Sequence, residues 1–146
     1  ACFLLERGIR TLHARMPIHA SNAATLAERL ESHPAVERVV HPSLSSHPDY
    51  EVAKQVMPNG TGMLGFVVKG GDNAAMSFMS RLKIIFEATS LGGVESLIEV
   101  PATSSHMAVP EEVRIAAGIS PGFVRMSVGI EDVEDIWNDI HQALGA

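Results

Sequence analysis

The sequence predicts a single α/β domain of the mixed (α+β) type, and three observations carry that expectation. A chain of 146 residues with 46% hydrophobic content is long enough for one real core and too short for two. Apolar residues recur at helical spacing in the first third and at the end of the chain. Between these stretches lie short β-branched runs bounded by glycine and proline, the pattern of strands.

Leu12, Met16, His19, Ala23, Leu26 and Leu30 fall three or four residues apart and form one stripe with Ala27, which predicts a long helix reaching Ser32. Pro17 removes a backbone donor and crowds the preceding turn, so a kink or break is expected near Met16. His33-Pro34 stops the helix, because a residue before proline is pushed out of the α region. Val36 to Val40 then reads as a strand. Asp49 is placed to cap a short helix through about Val56 with its carboxylate, and Met57-Pro58-Asn59-Gly60 closes it.

Gly62 to Lys69 predicts a buried strand, ended by Gly70-Gly71. Asp72 or Asn73 starts a Met-rich helix from Ala74 to Leu82 whose Ala75, Met76 and Met79 face a core as filler rather than as a cofactor box. Ile84 to Phe86 reads as a short strand. Thr89 to Gly93 is a glycine-bearing bend leading to a further strand at Ser96 to Val100. Pro110-Glu111-Glu112 opens a short helix to Ala117, with proline at a favoured first position and carboxylates at the positive end; Gly118 ends it. Phe123 to Val128 alternates as a strand, and Glu131 to Leu144 is a terminal helix with Ile136, Ile140 and Leu144 on one stripe.

Composition removes several functional classes. With 11 basic against 17 acidic side chains, a net charge of -6 and no basic run, the chain lacks the clustered cations of a nucleic-acid or anionic-membrane surface. No apolar run approaches the roughly 20 residues that span a bilayer, and no signal-peptide pattern opens the chain. The lone Cys2 makes no internal disulfide, so a soluble protein of a reducing, cytoplasmic compartment is expected. Ala1 is not an initiator Met, and the chain enters helical pattern at once; it reads either as cut from something longer or as processed after Met removal.

Seven histidines, three of them before prolines, show no paired i, i+4 ligands, so no metal site is expected. Ser104-Ser105-His106 lacks the flanking glycines of a nucleophile elbow. Arg125 is more informative. It shares a strand face with Phe123 and Ser127, and burying a guanidinium is costly unless a planar anion meets its fork of donors. That anion is either a ligand carboxylate or phosphate, or an internal glutamate such as Glu95 or Glu99. Ser90 with Leu91-Gly92-Gly93 is either an anion-binding bend or an ordinary turn.

Several motifs in order then point to a family. Ser90-Leu91-Gly92-Gly93-Val94-Glu95-Ser96-Leu97-Ile98, Pro101-Ala102-Thr103 with His106, Gly118-Ile119-Ser120, and Val124 to Asp132 resemble the C-terminal part of the Cys/Met-metabolism enzymes, the transsulfuration enzymes that depend on pyridoxal phosphate (PLP). Arg7-Gly8, Thr11-Leu12, Arg15-Met16, Ser46-His47-Pro48 and Thr61-Gly62-Met63 extend the resemblance over essentially the whole chain.

The resemblance implies the C-terminal small domain of a fold-type-I enzyme over residues 1–146, with a mostly antiparallel sheet of about four strands under helices on one face. It also implies a larger preceding domain that holds PLP and the Schiff-base lysine, because Lys54, Lys69 and Lys83 stand in no such motif. The chain alone is then expected to be inactive, with no catalytic or cofactor-binding residue of its own. The intact enzyme would perform β- or γ-elimination or replacement on sulfur-containing or O-activated amino acids, as a homo-oligomer, typically a homotetramer. The alternative is a non-catalytic amino-acid-binding or oligomerisation module derived from the family. By position, Arg125 matches the arginine that pairs with the substrate α-carboxylate, and Ser90 the residue that completes the grip. Thr89 stands where cystathionine-handling members commonly carry glutamate, and Ser105 where a threonine is frequent. Thr89 and Pro17 depart from the family pattern.

Overall fold

A computed structural model describes residues 2–145. Two helices open the chain, α1 (Cys2–Ile9) and α2 (Leu12–Glu31), followed by β1 (Val36–Val40), α3 (Tyr50–Val56), β2 (Met63–Val68) and α4 (Gly71–Met79). Then come β3 (Phe86–Glu87), β4 (Leu97–Glu99), a 3₁₀ turn at Pro101–Thr103, α5 (Glu111–Ala116), β5 (Phe123–Ser127) and α6 (Val133–Leu144). The strands form one five-stranded sheet in the order β1-β2-β5-β4-β3. Every pairing is antiparallel except β3 with β4. The expected mixed domain is therefore present, with the five strands the residue pattern indicated rather than the about four the resemblance implied; the two-residue β3 lies at the sheet edge.

Strand alternation divides the sheet cleanly. Leu64, Phe66 and Val68 of β2, Ile98 of β4, and Val124 and Met126 of β5 join one core with Leu26 and Leu30 of α2, Phe78 of α4, and Ile136 and Ile140 of α6. Phe66 and Phe78 meet edge-on with ring centroids 5.8 Å apart. The residues of opposite parity, Gly65, Arg125, Ser127 and Glu99, stand together across the strands: Gly65 pairs with Arg125, and Arg125 with Glu99. The loops after Glu87 and after Pro101 meet this second face and make the site described below.

Several local expectations are corrected. The long helix does not break near Met16: α2 runs through Pro17, and the break lies at Arg10-Thr11, where the Ala14 and Arg15 amides both reach the Thr11 carbonyl. Its stripe is buried only from His19 onward, while Leu12 and Met16 are exposed. Asp49 precedes α3, but its side chain makes no capping bond; its carbonyl accepts from Ala53 N at 2.8 Å. Helix α4 starts earlier, after Gly70 in the left-handed region at φ 101°, and buries Ala75, Phe78 and Met79 while Met76 remains exposed. Of the strand expected at Ile84 to Phe86 only Phe86 lies in one, together with Glu87, because the Asp139 carboxylate takes the amides of Lys83, Ile84 and Ile85 that a ladder would need. Pro110 is the residue before α5 rather than its first residue. The terminal helix begins at Val133, where the Asp132 carboxylate accepts from Glu134 N at 2.8 Å, and buries Ala143 in addition to Ile136 and Ile140.

Candidate functional site

The site is built on the second face of the sheet, where β4 and β5 place Glu99 directly opposite Arg125. Antiparallel pairing brings such residues within reach of each other on one face. The Arg125 Nη2 lies 3.0 Å from Glu99 Oε1, with Glu99 almost wholly buried. The same Nη2 donates to the Thr89 carbonyl at 2.7 Å. The contact with Thr89 is a hydrogen bond, and that with Glu99 an ion pair. Arg125 Nε is buried and has no acceptor, and no hydrogen bond of Nη1 occurs among the described residues.

The carboxylate of Glu99 is itself held from the other side. After β4 the chain turns sharply at Pro101 into the 3₁₀ turn, and this returns Ser104 and Ser105 over the strand they have just left. Ser104 Oγ donates to Glu99 Oε2 at 2.6 Å, and Ser105 Oγ lies 3.1 Å from Oε1. A buried carboxylate requires such partners, because desolvation without them is expensive.

The bend before β4 is anchored at both ends. Gly92 N donates to Ser127 Oγ at 3.0 Å, and Ser96 donates to Glu131 through its amide at 2.6 Å and its hydroxyl at 2.9 Å. Thr89 and Ser90, just before the first of these anchors, are exposed. Thr89 takes part through its carbonyl rather than its hydroxyl, and Ser90 follows it with a side chain that has no hydrogen bond among the described residues. Ser105 reaches the arginine only through Glu99. The four residues singled out in the sequence thus fall into one neighbourhood, with Arg125 at its centre.

Of the two glutamates left open as internal partners of Arg125, the structure selects Glu99; Glu95 is exposed near Gly93. Sequence reasoning missed Ser104 and the Thr89 carbonyl. A serine pair five and six residues beyond a strand glutamate, just after a proline, was the available signal for the first. The second had none, since every residue carries a carbonyl.

The model of the Cys/Met metabolism PLP-dependent enzyme family matches residues 1–145, and the chain belongs to that family. A cystathionine gamma-lyase of Dictyostelium discoideum is 50% identical over 143 residues, covering 98% of this chain and 37% of the relative. A cystathionine beta-lyase of Lactococcus lactis subsp. cremoris is 46% identical over 142 residues, or 97% of this chain and 37% of that protein. The human cystathionine gamma-lyase is 46% identical over 145 residues, 99% of this chain and 36% of its own length. The chain therefore spans little more than a third of these relatives.

The family's cofactor is PLP, and the lysines of this chain do not fit a seat for it at Arg125. Lys54 Nζ lies 3.5 Å from Glu51 and over the Tyr50 ring, and Lys69 Nζ donates to the Pro34 carbonyl at 2.6 Å. Lys83 lies beside Asp139, its amide donating to that carboxylate at 2.9 Å. No contact of these three with Arg125, Thr89 or Ser90 occurs among the described residues.

Proposed function

We propose that this chain is the C-terminal, substrate-binding domain of a PLP-dependent enzyme that performs elimination or replacement on sulfur-containing or O-activated amino acids. In this reading Arg125 binds the substrate α-carboxylate. The observation that carries it is the state of the guanidinium: Nη2 donates to the Thr89 carbonyl and pairs with Glu99, while Nε and Nη1 have no acceptor among the described residues. Unpaired guanidinium donors are costly to leave, and a bound carboxylate supplies an acceptor at Nη1, which has no hydrogen bond among the described residues.

Arg125 then fixes the substrate at its carboxylate end, and the Ser90 hydroxyl, exposed one residue beyond the Thr89 carbonyl, is available as a further donor. A guanidinium held in a fixed plane sets orientation as well as position, which a lysine's point charge does not. When bound, PLP supplies the electron sink for the reaction; its seat and its lysine belong to residues beyond those of this chain. The rest of the enzyme is the partner expected for the exposed Phe3, Leu4, Leu5 and Ile9 of α1. We further propose that the enzyme is homo-oligomeric, as the family resemblance implies, and cytoplasmic, for which the free, exposed Cys2 is the supporting feature.

In the intact enzyme Arg125→Ala should raise KM for L-cystathionine by about a hundredfold while leaving the bound cofactor's visible absorbance in place, and Arg125→Lys should recover only part of the loss. Steady-state kinetics unchanged by Arg125→Ala would remove this assignment.

A further inference from the structure

We infer that Glu99 is a positioning residue: its buried carboxylate, clamped between two serine hydroxyls, holds the Arg125 guanidinium in the orientation that receives the substrate carboxylate. The inference rests on the reading of Arg125 given above and goes beyond it, because Glu99 itself would touch no substrate atom.

A negative charge beside an anion-binding arginine is on simple electrostatics a handicap, since it competes with the substrate for the same cation. The arrangement here explains why it is nevertheless useful. Glu99 Oε1 engages only Nη2, at 3.0 Å, and the Thr89 carbonyl takes the other side of Nη2 at 2.7 Å. A hydrogen bond and an ion pair at one nitrogen restrain the planar ion from that end, while Nε and Nη1 have no acceptor among the described residues. The side chain is thus ordered before substrate arrives, and its loss of rotamer freedom does not weigh against binding.

For this to work the carboxylate must itself be immobile, and it is. Glu99 is 1% exposed, Ser104 Oγ donates to Oε2 at 2.6 Å, and Ser105 Oγ meets Oε1 at 3.1 Å. Each hydroxyl has a second neighbour, Ser104 Oγ at 2.8 Å from the Val100 carbonyl and Ser105 Oγ at 2.9 Å from His106 Nδ1. The serines therefore link the carboxylate to the backbone turn that follows β4. Neither serine contacts Arg125 directly, so both act through Glu99.

The test compares Glu99→Ala, Glu99→Gln and Arg125→Ala in the intact holoenzyme. It uses KM and kcat for L-cystathionine and the calorimetric Kd of L-norleucine, an amino acid without a side-chain leaving group. Glu99→Ala should raise both KM and Kd about tenfold with kcat changed far less, and Glu99→Gln, which keeps an acceptor for Nη2, should recover most of the loss. A merely structural residue would not give that split or that recovery. Unchanged or tighter binding in Glu99→Ala would show that Glu99 only competes for the cation, and would overturn the inference. If Glu99→Ala does not fold, the Ser104→Ala/Ser105→Ala pair replaces it, with a several-fold rise in KM expected and an unchanged KM overturning the inference. Weak binding in Arg125→Ala alone sinks the role of Glu99 and keeps that of Arg125, whereas normal binding in Arg125→Ala sinks both.

Discussion

His33 and His141 meet edge-on across the interface of α2 and α6, with Nε2 of the first 3.2 Å from Nδ1 of the second and ring centroids 5.3 Å apart. The Ala35 amide donates to His33 Nδ1 at 3.2 Å, so in the neutral pair Nε2 carries the hydrogen and donates to His141. Trp137 stacks on His141, and Arg29 lies over Trp137 while pairing with Glu134, which adds a cation nearby but no free anion for the pair. A proton on His33 would displace the Ala35 bond and face a second imidazole.

Acid sensitivity follows from this geometry. Burial, and then the neighbouring His141, hold the His33 pKa below its ordinary 6.5. Burial likewise lowers that of His41, against the opposing bond to the Thr61 carbonyl. Because the unfolded chain takes up these protons more readily than the folded one, the stabilisation is complete above pH 6.5 and is lost as pH falls through and below that value. Thermal melts from pH 8 to pH 5 should show a falling midpoint (about these limits, chosen around the free histidine value), with a shallower fall in His141→Gln. A flat profile would contradict the assignment.

Asp139 is 3% exposed and accepts from three consecutive amides, at 2.9 Å from Lys83, 2.8 Å from Ile84 and 3.1 Å from Ile85. Replacing it by alanine leaves buried donors without partners, and hydrogen bonds to a charged group are worth about 1.5–3 kcal/mol each at most. We expect Asp139→Ala to destabilise the protein by about 3 kcal/mol in denaturant titration, and Asp139→Asn to lose less. Hydrogen exchange at residues 83–85 should accelerate in both.

Gly129 follows β5 where the chain passes against the bend before β4. A Cβ there would lie 2.6 Å from the Ser96 amide nitrogen and closer still to the Val94 carbonyl and Glu131. Backbone cannot yield as a side chain does, so Gly129→Ala should cost about 3 kcal/mol or more in chemical denaturation. It should also disturb the Ser96–Glu131 anchor of the bend. A loss below about 1 kcal/mol, within the range of ordinary surface changes, would show that the bend is looser than described.

Thr89 is exposed beside Arg125 and contributes its carbonyl, which survives any side-chain change. A glutamate at this position adds a carboxylate able to meet a substrate's distal ammonium. In the intact enzyme Thr89→Glu should raise kcat/KM for cystathionine relative to an O-acyl-homoserine, whose side chain ends in no cation, by about tenfold. An unchanged ratio would place the distal end of the substrate elsewhere.

Much of this was legible in the chain. The period of Ala23, Leu26 and Leu30, the β-branched runs at Val36–Val40 and Met63–Val68, and the alternation around Arg125 are local patterns, and each became the element expected. Motif spacing identified the family, which the match over residues 1–145 bears out. Where local reading failed, a residue distant in sequence intervened. Ile84 and Ile85 have strand propensity, but Asp139 takes their amides from 54 and 55 residues away. Leu12 and Met16 continue the stripe of α2, yet they remain exposed.

The same division holds for the site. The sequence by itself determined that Arg125 lies on a strand face with Phe123 and Ser127 and requires an anion, because alternation and the cost of burying a guanidinium are properties of one short segment. Only the tertiary structure decided which anion and which neighbours. Strand register set Glu99 rather than Glu95 opposite Arg125, and the turn at Pro101 returned Ser104 and Ser105 to hold it. Register depends on the whole sheet's pairing, in which a slip of one residue sends every side chain to the other face, and no single strand carries that information.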